Sequence, residues 1–301
     1  MPVYNGEGAI RAALDSLLSQ SFSDFELIIS DNASTDATGE ICREYAARDR
    51  RIQYVRQPEN LGAAPNFRFV LDKARGEYFM WAAHDDYWRP EFIQKCLSVL
   101  EREPGVAVVF TKYRVLSRRY APAKMRYFPD MSFLASDDPF TRVSGFMSMP
   151  EFTHKANVIY GLWRTPVVRQ TLEALEDVQD RFIAFGLDVA QIAHALVRFK
   201  AYQIPELLFF KTYEGLPPGY VTTVGHILKR RVLKYQRWKK RYESNVRNHI
   251  EVVRIALARA GAQEQQYGQF LDRLQSRLLN RYQRPRDMLR ELYRSIRAGL
   301  V

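Results

Sequence analysis

Three short polar clusters hold the residue types from which chemistry could be built: "PVYNGE" (Pro2 to Glu7), "DNASTD" (Asp31 to Asp36) and "HDD" (His84 to Asp86). The last sets two carboxylates, Asp85 and Asp86, side by side just after the apolar run "EYFMWA". Two unit charges about 4 Å apart repel by ~4 kcal/mol at an effective dielectric near 20, so keeping both ionised in a cleft calls for a compensating cation. Mg²⁺ or Mn²⁺ is held by one or two protein carboxylates, with water and phosphate oxygens filling the other positions, which suits such a pair to a metal–diphosphate site. The competing reading is that Asp85 or Asp86 caps the helix beginning near Pro90 or shapes a turn. Asp31 also has two readings. "DNASTD" can be an N-capping loop in which Ser34 or Asp36 accepts backbone N–H bonds, and Asp31 itself can accept a hydrogen bond from a nucleobase N–H or a ribose hydroxyl.

These clusters matter because of where the elements place them. Up to about Arg114 the chain alternates β-rich runs, "FELIIS", "IQYVR", "EYFMWA" and "VAVVF", with helical periodicity, the pattern of a parallel α/β sheet. Ile10, Leu14, Leu17 and Leu18 share one helix face, as do Phe67, Val70, Leu71 and Ala74 before Gly76, and Phe92, Cys96, Val99 and Leu100 after Pro90. Ligands of such sheets bind beyond the carboxyl ends of the strands, which is where all three clusters fall. The chain has no GxGxxG and no GxxxxGK[ST], which disfavours a dinucleotide site or a P-loop. Residues 115–155 carry scattered Pro, Met and Arg and read as an irregular insertion. Order returns with "NVIYGLWR", a helix after Pro166, a helix from Asp188 to Phe199 and "YQIPELLFF", and long Arg- and Gln-rich helices follow from about Val221. "MPVYN" reads as the end of a strand with nothing before it, which suggests a gene start further upstream or a fragment; an ordinary surface N-terminus is the other reading.

The composition is globular, with 47% hydrophobic and 26% charged residues in 301. No stretch approaches a membrane-spanning length and no secretory signal is present, so the expected location is cytoplasmic. Cys42 and Cys96 suggest neither a disulfide framework nor a zinc site. Charge divides the chain: from His226 onward there are 19 Lys and Arg against 6 Asp and Glu, whereas the whole chain carries +11. The organisation expected is a body, residues 1–220, and a basic helical region, residues 221–301. "LKRRVLKYQRWKKRY" (Leu228 to Tyr242) mixes cations with aromatics at helical spacing. That fits peripheral contact with an anionic membrane, or ordinary helices packing on the body or on another subunit of a homo-oligomer. No nucleic-acid fold signature accompanies these charges, which argues against nucleic acid as a partner.

The ordered set "MPVYNGEGAIRAALDSLLSQSFSDFELIISDNASTD", "PENLGAAPNF", "ARGEYFMWAAHDDYW" and "FGLDVAQIAHALVRFKAYQIPELLFF" resembles family 2 glycosyltransferases over roughly residues 1–214. The resemblance implies a GT-A nucleotide-diphospho-sugar transferase fold, a mostly parallel Rossmann-like sheet flanked by helices, here with an apparently truncated first strand and a C-terminal helical extension. It implies an inverting enzyme that moves a sugar from a nucleotide-diphosphate donor, usually UDP- or dTDP-linked, to a hydroxyl of a carbohydrate or lipid-linked acceptor in polysaccharide or glycolipid synthesis, with Mn²⁺ or Mg²⁺ as cofactor. By the same resemblance Pro2, Tyr4, Glu7, Asp31 and Asn60 belong to the nucleotide-sugar site, Asp85 and Asp86 to the metal, and Asp188 is the general base; His84, beside a departure from the pattern, is read as a hydrogen-bond partner of the donor or a packing residue rather than a ligand of an oxygen-preferring ion. Without the resemblance Asp188 reads as the N-cap of the helix running to Phe199. Two positions depart from the pattern: Ala83 stands where many relatives open the motif with Asp, and Tyr213 where relatives often have His. The alternatives are a nucleotidyltransferase, which would need a basic Gly-rich phosphate loop that "PVYNGEGAI" lacks, and a degenerate, non-catalytic transferase domain acting as a scaffold.

Overall fold

A computed structural model of the chain describes residues 1–117, 130–149, 155–178, 187–213 and 233–280. The first part follows the strand–helix alternation of the sequence: β1 (Pro2–Val3), α1 (Ile10–Leu18), β2 (Leu27–Asp31), α2 (Thr38–Arg48), β3 (Ile52–Arg56) and α3 (Ala63–Lys73). β1, β2 and β3 lie side by side in that order, all parallel, with Val3 beside Asp31 and Asp31 beside Arg56. β2 is buried along its whole length because helices cover both faces of a parallel sheet, which is why "LIIS" has no polar alternation. α1 turns Ile10, Ala13, Leu14 and Leu17 into the core, the stripe that its spacing predicts.

A second sheet has the order β4 (Tyr78–Met80), β7 (Leu162–Arg164), β6 (Val106–Ser117), β8 (Lys200–Tyr213), β5 (Tyr87–Trp88). Here β6 and β8 are parallel, and the pairs β4–β7, β6–β7 and β5–β8 are antiparallel. Parallel pairing thus extends over the first sheet and β6–β8. A strand's apolar run gives no sign of its partner, so the insertion of β7 between β4 and β6 is invisible in periodicity alone. α4 (Phe92–Arg102) covers this sheet with Phe92, Cys96, Val99 and Leu100. Both thiols are buried, and burial pushes that of Cys42 up to about 12, so neither is a reactive thiolate.

The segment expected to be irregular contains, in its described part, a 3₁₀ turn (Ser132–Ala135) and α5 (Pro139–Ser148). Asp138 caps α5 by accepting the N–H groups of Phe140 at 3.1 Å and Thr141 at 2.9 Å, and Pro139 occupies the first turn. Arg142, buried, donates to the carbonyls of Ser136, Asp137, Leu196 and Val197, which ties this segment to the end of α7 (Leu187–Arg198). A 3₁₀ segment (Lys155–Tyr160) leads into β7, and α6 (Thr165–Glu173) follows.

Two helices of the basic region are described, α8 (Leu233–Arg259) and α9 (Glu264–Asn280). α8 packs on α7 and buries Val246, Ile250, Val253, Ala256 and Leu257 in the same core as the sheets. Arg259 pairs with Asp177, Arg198 donates to the Ala260 carbonyl at 2.9 Å, and Phe140 meets Tyr267 and Phe270 edge-on. Among the described residues no helix is long and apolar enough to cross a membrane. Part of the irregular segment (118–129 and 150–154), the start of the aromatic–basic stretch (228–232) and residues 281–301 lie outside the described residues.

Candidate functional site

The carboxyl ends of β1, β2 and β3 form one edge, and the loops there are laced together by side chains acting on backbone. Asn5 N–H donates to Ser34 Oγ at 2.9 Å, Gly6 N–H to Thr38 Oγ1 at 2.7 Å and Glu7 N–H to Asp36 Oδ2 at 3.1 Å. In return Asn5 Oδ1 accepts the Thr35 N–H and Glu7 Oε2 accepts the Ala37 N–H, each at 2.8 Å. Glu7 thereby satisfies an orphan donor at the start of α2, and Asp36 accepts the Thr38 N–H at 3.0 Å, so the capping reading of "DNASTD" holds in part. Asn5 and Ala33 are the described non-glycine residues with positive φ, 51° and 59°, and both lie in this pair of loops. For alanine that is a strained conformation, of the kind that persists where surrounding contacts over-determine it.

Asp31 lies beneath these loops with no exposed surface. Its Oδ1 accepts the Ser34 N–H at 2.8 Å, and its Oδ2 accepts Tyr54 Oη–H at 2.8 Å and Arg56 Nη1 at 3.0 Å. Burial beside this carboxylate pushes the Tyr54 phenol up to about 12. The expectation of an acceptor open to a nucleobase is therefore modified: Asp31 organises the loop and holds Arg56, whose side chain is 44% exposed. Gly39 lets α2 approach this cluster, since a Cβ there would lie 2.9 Å from Tyr54 Oη and 3.1 Å from Asp31 Oδ2. Asn60 Oδ1 accepts from Asn32 Nδ2 at 2.8 Å and from the Gly62 N–H at 2.9 Å, so the third loop is fastened to the second. Pro2 is a buried strand residue, whereas Tyr4 just beyond it is 45% exposed at the rim.

The HDD turn joins this edge through His84. A Cβ on Gly6 would lie 2.5 Å from His84 Cδ2 and 3.1 Å from Cγ, so the imidazole rests directly on the glycine of the first loop. Asp85 is partly exposed, while Asp86 is 1% exposed. Neither caps α4, whose N-terminus has no side-chain cap. Asp86 Oδ2 accepts from Lys211 Nζ at 2.9 Å and Oδ1 from the Thr212 N–H at 3.0 Å, an ion pair inside the chain. Burial pushes the Asp86 carboxyl up to about 6 against the pull of Lys211. Burial equally opposes the Lys211 ammonium, but Tyr160 and both carboxylates outweigh it and hold its pKa above the ordinary value. The expected two-carboxylate ligand set is thus narrowed, because Asp86 already serves a buried cation and Asp85 is the carboxylate left.

Lys211 Nζ also lies 4.3 Å from the centre of the Tyr160 ring. Burial raises the Tyr160 phenol, Lys211 lowers it, and the charges of Asp86 and Asp188 both add to the rise. Tyr160 thus feels the charges of both Asp86 and Asp188. Asp188 sits in the first turn of α7, its Oδ1 accepting the Val189 N–H at 2.8 Å. Asp188 is therefore close enough for its charge to reach the Tyr160 phenol, which lies against Lys211. Tyr160, Lys211 and Arg56 are the residues that sequence reading missed, and Asn32 and Gly6 lay in the polar clusters without a role of their own. The signal for Lys211 was a charge following the apolar run "ELLFF", since a strand lysine there must bury beside an acid; nothing local marked Tyr160.

A divalent cation would find hard oxygen donors here, though few from the protein. Among the described residues no three His, Cys, Asp or Glu side chains gather closely enough to enclose a metal ion. Asp85 with phosphate oxygens of a ligand is the donor set that fits, the arrangement Mg²⁺ and Mn²⁺ favour.

The fold is of the GT-A type. S. aureus TarS residues 1–349, solved in complex with UDP, superposes with a TM-score of 0.55 over 93% of this chain and 89% of that one, at 15% identity. The glycosyl transferase family 2 profile matches residues 1–157, and the chain belongs to that family. An uncharacterized protein of Mycobacterium tuberculosis is 41% identical over 134 residues, 43% of this chain and 38% of the relative. A putative teichuronic acid biosynthesis glycosyltransferase of Bacillus subtilis, TuaG, is 35% identical over 121 residues, 40% of this chain and 48% of the relative. The chain thus spans less than half the length of these curated relatives.

Proposed function

We propose that the protein is an inverting glycosyltransferase that takes a sugar from a nucleotide-diphosphate donor, UDP- or dTDP-linked, and passes it to a hydroxyl of a carbohydrate or lipid-linked acceptor in polysaccharide or glycolipid synthesis. The observation that carries this reading is that the HDD turn, with His84 resting on Gly6 and Asp86 held by Lys211 over Tyr160, meets the loops at the carboxyl ends of the first sheet's strands, and Asp188 lies within electrostatic reach of Tyr160. These loops lie within the span that matches family 2, and UDP bound to TarS is consistent with the donor class. The nucleoside would lie across the rim formed by Tyr4, Asn60 and the Asp31–Arg56 pair, with His84 between the first loop and the diphosphate. Asp85 would hold a Mg²⁺ or Mn²⁺ ion, which when bound supplies positive charge to the diphosphate oxygens. Asp188 removes the proton of the acceptor hydroxyl as the oxygen attacks the anomeric carbon from the face opposite the departing diphosphate, which inverts that centre. Residues 1–220 form the transferase unit in this scheme, and the basic region from 221 serves it as an extension whose described helices, α8 and α9, pack on the body.

A screen of nucleotide sugars by thermal shift and donor hydrolysis, with Mn²⁺ present, tests the reading. Stabilisation and hydrolysis with one donor class are expected. Silence across the panel would favour the non-catalytic scaffold.

A further inference from the structure

Lys211 is a largely buried cation directly behind the HDD turn. It is 7% exposed and extends from β8. Its ammonium lies 2.9 Å from Asp86 Oδ2 and over the Tyr160 ring, and the neighbouring Thr212 N–H takes the other Asp86 oxygen. The same turn is fixed to β8 from its other end. Tyr87 and Trp88 pair antiparallel with Phe210 and Phe209, the Trp88 ring stacks on Phe209, and the Arg89 N–H donates to the Leu208 carbonyl at 2.8 Å. Asp85 lies between His84, which rests on Gly6, and this clamped residue.

On the transferase reading of the site, we propose that Lys211 is a positioning residue: by clamping Asp86 to β8 it fixes the turn that presents Asp85, and it leaves that one carboxylate for the donor's divalent ion. Two consequences separate this from a merely structural ion pair. Metal affinity depends on the clamp although Lys211 touches neither metal nor donor, in the way that partners behind a ligating group govern affinity. With one carboxylate of the HDD turn available, the ion is held chiefly through the nucleotide, so Mn²⁺ binding by the protein alone is far weaker than in the presence of UDP.

The test is calorimetry of UDP at a series of Mn²⁺ concentrations, with thermal unfolding of the same samples. Lys211→Met leaves Asp86 buried without its counter-charge and can fail to fold, so the decisive variant is the double substitution Lys211→Met with Asp86→Asn, which removes both charges. The Mn²⁺ concentration giving half-maximal UDP binding is expected to rise at least ~10-fold in the double variant, the lower end of what loss of such partners brings, and to stay within about threefold in Lys211→Arg. A double variant that folds and binds UDP with the wild-type Mn²⁺ requirement overturns the role of Lys211 while leaving the donor site standing. Wild-type protein that binds no nucleoside diphosphate at any Mn²⁺ concentration overturns the donor site itself, and this proposal with it.

Discussion

Replacing Gly6 by alanine puts a methyl carbon 2.5 Å from His84 Cδ2 and 3.0 Å from Val3 Cγ2. Carbon atoms in contact prefer about 3.5 to 4.0 Å, so the imidazole must retreat by roughly 1 Å or the first loop must shift. The loop has little freedom, because the Gly6 N–H is bonded to Thr38 and its carbonyl accepts from Ala9 and Ile10 at the start of α1. Overpacking of this kind costs about 1 to 3 kcal/mol. If the ring moves, that energy appears where the ring is needed. At about 1.4 kcal/mol per tenfold, Gly6→Ala should weaken UDP binding in the presence of Mn²⁺ by about 5- to 140-fold. The assay is calorimetry with UDP and Mn²⁺, paired with thermal unfolding, on wild type, Gly6→Ala, His84→Ala and the double variant. His84→Ala removes the atoms that clash, so the stability lost in Gly6→Ala should return in the double variant, with a coupling of at least about 1 kcal/mol. Wild-type stability and affinity in Gly6→Ala, or strict additivity in the double variant, would refute the contact between the first loop and the HDD turn and with it the shared crevice.

Asp188→Asn should lower kcat by about 10² to 10⁴-fold while UDP affinity stays within a few-fold, because a general base acts on the acceptor and not on the donor; full turnover in the variant would reject the assignment. Asp85→Ala should abolish the difference between UDP binding with and without Mn²⁺ in calorimetry, and a difference equal to that of wild type would reject the metal role. Ala33→Gly, which relieves a left-handed alanine at φ 59°, should raise stability by about 1 kcal/mol in urea unfolding, and a loss would contradict the strain inferred there. His194 is held neutral by burial, which lowers its pKa to about 4, with Arg198 adding to the effect. The unfolded chain therefore binds the proton more readily below pH 6.5, so its contribution is complete above that value and is lost as pH falls toward 4, amounting to about 3 kcal/mol. His194→Leu should flatten the pH dependence of unfolding in that window, and an unchanged slope would contradict the shift.

The strands and helices of the first half were legible because burial on a parallel sheet writes itself as apolar runs and 3.6-residue stripes: "IQYVR" is β3 residue for residue, and Phe92, Cys96, Val99 and Leu100 all reach the core. The three polar clusters were legible for the same reason, as each interrupts the pattern at a strand end. What periodicity does not encode is pairing. β7 against β4, and the two-residue β5 against β8, bring together segments more than 80 residues apart. Lys211 and Tyr160 reach the site only through those pairings, so reading Asp85 and Asp86 as equivalent carboxylates missed the cation that distinguishes them. α5 was missed although its Asp138–Pro139 start is a capping signal, because the weak stripe that follows did not stand out among the surrounding Pro and Met.

The central claim is that Asp85 faces the diphosphate of a sugar donor in a crevice shared with Asp188, and anomalous diffraction from crystals grown with UDP and Mn²⁺ tests it most directly. A manganese peak about 2 Å from an Asp85 carboxylate oxygen, with the diphosphate on its far side and Asp188 across the same hollow, is the predicted result. UDP and manganese found at another surface, such as the charged hollow lined by Asp49, Arg50, Arg51 and Arg75, would contradict it.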